Sequence, residues 1–128
     1  MHITFSLATE KTLDEALASL KQALPAVGFG VLWELSFQQK LQEKGVDFTG
    51  QFHVLEVCNP HEAKKVLDEE IEIGFFLPCK MAVYVKEGQT YIGMPKPTAL
   101  MSMIGNEKLL SIAEGVEASL KKAIEAAI

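Results

Sequence analysis

A chain of 128 residues, 48% hydrophobic and 23% charged, has room for one domain whose core needs no disulfide or metal staple. Its net charge of −5 leaves no basic footprint for nucleic acid or an anionic membrane surface. No apolar run approaches the ~20 residues of a membrane span. Two cysteines do not make a disulfide scaffold, so a reducing, cytoplasmic setting is expected.

The opening MHITFSLATE has no basic region and reaches Glu10 too early for a secretory signal. Within it Ile3, Phe5 and Leu7 alternate with polar residues, the pattern of a half-buried strand. Thr12 and Glu15 form a capping box, and Leu13, Ala16, Leu17, Leu20 and Leu24 make one apolar helical stripe. Pro25 and Gly28 stop that helix. Phe29, Val31, Trp33, Leu35 and Phe37 then alternate over the longest period-two run in the chain, which predicts a central strand. Gln38 to Lys44 is polar and helix-tolerant, a short helical turn or a mobile loop.

Phe52 to Cys58 is a strand apolar on both faces, with His53, Leu55 and Val57 on one side and Phe52, Val54, Glu56 and Cys58 on the other. Such a strand needs cover on both sides: a helix layer on one, and a partner subunit, a loop or a ligand on the second. Asn59 is a helix N-cap, Pro60 suits the first helical position, and Glu62 is placed for a second capping box. The helix runs to about Glu70 with Ala63, Val66 and Leu67 inward. Ile73 to Leu77 has no clear period, and Pro78 disfavours helix at Leu77. Met81, Val83 and Val85 alternate up to a tight Glu87-Gly88 turn, and Thr90 to Met94 returns as a hairpin. Thr98 to Met103 suggests a short helical turn. A last helix carries Leu109, Ile112, Ala113, Val116, Leu120, Ala123, Ile124 and Ala127 on one face.

The motif LEVCNP at Leu55–Pro60, followed by LPC at Leu77–Cys79 leading into a strand, resembles domain-of-unknown-function family 302. The N-terminal amphipathic helix and the L-M-x-M segment at Leu100–Met103 fit the same likeness. The resemblance implies a two-layer α+β fold that often pairs with itself, and it brings no reaction. Periodicity alone leads to the same class: one mixed or mainly antiparallel sheet of about five strands with helices on one face.

Cys58 precedes a helix N-terminus, where unpaired N–H groups and the helix dipole would favour a thiolate. Cysteine is equally a common apolar core residue. Cys58 and Cys79 lie 21 positions apart. Antiparallel neighbouring strands would bring both to one sheet edge, whereas a parallel crossover would separate them by a strand length of ~20 Å. His53, Cys58, His61 and Cys79 are zinc-type donors, but their spacing matches no zinc pattern, and His53 faces away from Cys58. No metal and no cofactor is expected. Met94, Met101 and Met103 could be a soft-ligand box or plain core filler.

Glu56 shares a face with Val54 and Cys58, and Lys80 or Tyr84 on a neighbouring strand could meet it. Phe52, Val54, Glu56, Cys58, Lys80 and Tyr84 together would suit a small-ligand site or a subunit interface. Three functions follow: a homodimeric, non-enzymatic binding module for a small molecule or partner, a thiol protein relaying sulfur or redox equivalents through Cys58 with Cys79 as a second thiol, and a structural assembly unit.

Overall fold

Burial on both faces, rather than the length of an alternating run, marks the middle of the sheet. In a computed structural model, which describes residues 2–128, the chain runs through β1 (Thr4–Thr9), α1 (Leu13–Ala23), β2 (Gly30–Ser36), α2 (Phe37–Glu43), β3 (Phe52–Cys58) and α3 (Pro60–Glu69). It continues through β4 (Cys79–Lys86), β5 (Gln89–Pro95), α4 (Pro97–Ser102) and α5 (Glu107–Ala127), with single 3-10 segments at Pro25–Val27 and Ile71–Phe76. The five strands form one sheet in the order β1-β5-β4-β3-β2, antiparallel throughout. The architecture is α+β.

The predicted central position of the Phe29–Phe37 run is therefore corrected: β2 is an edge strand. Alternation reports burial on one side only, and β2 leaves Leu32, Trp33 and Glu34 exposed. β3 and β4 contribute residues buried on both sides, Val54 beside Leu55 and Ala82 beside Met81 and Val83. Two-sided apolarity marks the strands with neighbours and cover. Phe37 is also reassigned. Ser36 turns the chain by accepting the Gln39 amide at its hydroxyl (3.3 Å), so Phe37 opens α2 rather than closing β2. Ile3 lies before β1 and is exposed, while Phe5 and Leu7 pack on the core.

One face of the sheet carries Leu55, Val57, Met81, Val83, Ile92 and Met94 against α1 and α5. Those helices present the stripes read from their spacing: Ala16, Leu17 and Leu20 from α1, Val116, Leu120 and Ile124 from α5. Their starts are capped as local chemistry dictates. Thr12 and Glu15 make a reciprocal box (3.2 and 2.9 Å), and Asn106 Oδ1 accepts from Lys108 N and Leu109 N at 3.0 and 3.2 Å. Glu87 and Gly88, both at positive φ (52° and 77°), form the two-residue turn between β4 and β5.

The opposite face carries an aromatic row. Phe52 and Tyr84, then Tyr84 and Tyr91, are register partners and stack with centroids 5.3 and 5.4 Å apart. Phe37 of α2 closes the row edge-on to Phe52 at 6.0 Å. On the neighbouring rung Val54 and Ala82 are buried within the single chain.

Candidate functional site

β3 ends, β4 begins and β5 ends at the same end of the sheet, because all three are antiparallel neighbours. Val57 is directly opposite Cys79 and Glu56 opposite Lys80. Cys58 and Cys79 therefore come to one edge, the first of the two arrangements their spacing allowed, and both are half-buried free thiols.

Beside this edge lies a cavity of about 390 Å³. It separates the main core, which supplies Phe29, Val57, Val116 and Leu120, from a smaller cluster of Val66, Ile73, Met101, Leu109 and Ala113. Its polar lining residues are Glu56, Cys58, Asn59, Glu62, Cys79 and Lys80; the remainder are apolar. All six come from the end of β3, the start of α3 and the start of β4, while α4, α5 and the Ile71–Phe76 segment contribute only apolar walls. Polarity is thus gathered on one side.

The local chemistry differs from the expectation at Cys58. Asn59 does cap α3, but its side-chain oxygen accepts from His61 N (3.1 Å) and Glu62 N (3.3 Å), and its carbonyl takes Ala63 N at 2.9 Å. Pro60 has no N–H. The first-turn amides predicted to be unpaired are therefore occupied and offer no hydrogen bond to a thiolate. The second capping box does not form either, because the Glu62 carboxylate pairs instead with Lys65 at 3.2 Å. Burial, reinforced by the neighbouring Cys58, pushes the Cys79 thiol up to about 11. At neutral pH Cys79 is a neutral thiol.

Of the six residues grouped by sequence, Glu56, Cys58 and Lys80 line the cavity. Phe52, Val54 and Tyr84 lie further along the sheet face, Phe52 and Tyr84 in the aromatic row. Glu56 and Lys80 face one another across β3 and β4, yet among the described residues no ion pair joins them. His53 turns away and bonds the Glu34 carboxylate at 2.9 Å, and His61 is exposed. Among the described residues no group of three or more His, Cys, Asp or Glu side chains is gathered as a metal site. Met94 and Met101 are buried, but Met103 is exposed, so the methionines form no box.

Sequence reasoning missed Glu117. It sits on the buried stripe of α5, accepts from Thr98 N (3.1 Å) and Thr98 Oγ1 (2.7 Å), and meets Lys121 at 3.4 Å. Lys96 provides no side-chain cap for α4, so Glu117 caps that helix from another element. Burial pushes its carboxyl up, but the Thr98 hydrogen bonds and Lys121 outweigh this and hold it below the ordinary range. The available signal was a charge four positions after Ala113 on an otherwise apolar face.

The family model for "Domain of unknown function DUF302" matches residues 5–127. The chain belongs to the DUF302 family. It is similar over its whole length to a solved DUF302 structure, "Crystal structure of uncharacterized conserved protein DUF302 from Bacillus stearothermophilus", at 41% identity and a TM-score of 0.96, with 100% of each chain covered. No curated protein matches it. The DUF302 likeness thus fixes fold and family. The cavity at the Cys58–Cys79 edge is the feature of this DUF302 chain with the most chemical content.

Proposed function

We propose that the protein is a non-enzymatic binding module, working as a homodimer, that takes a small ligand or partner in the cavity at the Glu56/Cys58 end of the sheet. The observation that carries this reading is the cavity itself: about 390 Å³ of apolar-walled space with its few polar groups on one side. That size and composition suit a small-ligand pocket, where apolar walls give affinity and a few polar groups set orientation. The two free thiols agree with a cytoplasmic setting. The thiol-relay alternative draws less support, since Cys79 is protonated at neutral pH and the helix start beside Cys58 has no amide to spare.

A fragment screen by amide NMR tests the binding reading. Fragments should perturb the amides of Glu56, Cys58 and Lys80, and the cavity-filling Ala113→Phe variant should lose those perturbations. If no fragment touches these amides, or if the variant responds like the parent, the reading is wrong.

A further inference from the structure

Two independent observations narrow the ligand class of this cavity, on the premise that the cavity is a binding site. The first is internal. Protein interiors contain few voids larger than one water, and an apolar cavity of about 150 Å³ stays dry and takes benzene. A cavity of about 390 Å³ has room for roughly fifteen non-hydrogen atoms on that scale. Its polar residues come from the end of β3, the start of α3 and the start of β4; the Glu62 carboxylate is taken by Lys65 at 3.2 Å, while among the described residues no ion pair joins the opposite charges of Glu56 and Lys80.

The second is external. Large apolar side chains that proteins normally cover stand in solvent on the two segments flanking the cavity. Phe75 is 85% exposed, Ile71 71% and Met103 77%, and Phe76 is exposed beside them. Phe75 and Phe76 both line the cavity as well. Its rim is therefore aromatic and exposed, and exposed apolar patches of this kind mark ligand grooves or interaction sites.

We infer that the cavity binds a single-chain amphiphile, with a hydrocarbon chain of roughly ten to twelve carbons between α3, α4 and α5 and a net-neutral polar head against Glu56 and Lys80. The chain supplies the affinity and the opposed charges select the head. Free amphiphile in water and the chain of a membrane lipid present the same chemistry.

Titration with alkylphosphocholines of six to fourteen carbons, kept below their micellar concentrations, tests this. Burial of each methylene should raise affinity about fourfold, until the cavity is full at roughly ten to twelve carbons, after which affinity levels off. Ala113→Phe should move that plateau to shorter chains, and an alkyltrimethylammonium of equal length should bind more weakly. Affinity that keeps climbing past the plateau and ignores Ala113→Phe would overturn the inference, as would preference for the cationic head. Fragments that bind the cavity while every alkyl compound fails would sink the ligand class and leave the pocket standing. Silence from fragments and alkyl compounds alike would remove both. A parallel arm with phosphatidylcholine vesicles doped with labelled dodecylphosphocholine assigns the source: uptake of the label from the vesicles points to a membrane, uptake of free monomer alone to solution.

Discussion

Cys79 and Cys58 share one sheet edge, yet their settings are chemically unequal. Cys79 begins β4 opposite Val57, and burial raises its thiol to about 11. Alkylation at neutral pH in the native state should therefore leave Cys79 unmodified, with its rate rising only as pH approaches that value. Mass mapping after iodoacetamide treatment checks this, and rapid native labelling of Cys79 at neutral pH would contradict the burial argument.

Glu117 is a second residue whose role depends on its neighbours. Its carboxylate satisfies the backbone N–H and hydroxyl of Thr98. Replacing it with Leu strands both groups and should cost about 1–3 kcal/mol by chemical denaturation, with Glu117→Gln costing less because one acceptor remains. The pH dependence has a definite sign. The folded carboxyl titrates below its ordinary 4.5, so its contribution is complete above that value and fades as pH falls through the lower folded one. The gap between parent and Glu117→Gln should accordingly shrink in acid; a gap that widens there would reverse the assignment.

At the scale of elements, short-range chemistry sets where α1, α3 and α5 begin. Asn59 anchors α3 by accepting two amides, whereas Glu62 makes only an exposed pair with Lys65. Asn59→Ala should therefore lower stability by about 1 kcal/mol, and Glu62→Ala should change it by at most a few tenths. Equal effects in urea titrations would mean that the capping box forms after all. The strands follow a different logic. β2 alternates in sequence, yet none of its residues is buried and Leu32, Trp33 and Glu34 are exposed in succession, the setting of an edge strand. β1, at the other edge, is held to the helices by Lys121 of α5, whose ammonium lies 5.1 Å from the Phe5 ring centre while also meeting Glu117.

For the whole molecule, the outer sheet face is the remaining question of assembly. Phe52 is exposed there in the stack with Tyr84 and Tyr91, and Trp33 is exposed opposite Glu56 on β2, aromatic residues of the kind that subunit interfaces use. Sedimentation should show a dimer for the parent and a monomer for Trp33→Glu. A monomeric parent would remove the homodimer from the proposed function, and would agree with Val54 and Ala82 being already buried within one chain.

Local pattern was enough for most of this fold. The Thr12 and Asn59 caps, the α5 stripe, the Glu87-Gly88 turn and the two-faced β3 each depend on residues within a few positions of one another, where steric and hydrogen-bonding rules act without knowledge of the rest of the chain. Strand order, the cavity and the partners of buried charges depend on encounters between distant segments. Lys11 donates to the Ala127 carbonyl at 2.8 Å across 116 positions, and Glu117 reaches Thr98 on a different helix. No periodicity encodes such meetings, because they are set by how whole layers pack. The grouping of Phe52, Val54 and Tyr84 with Glu56 and Cys58 illustrates the limit. Alternation correctly put Phe52, Val54, Glu56 and Cys58 on one strand face, but only the packing of α3, α4 and α5 at one end of the sheet separated a cavity from an aromatic surface.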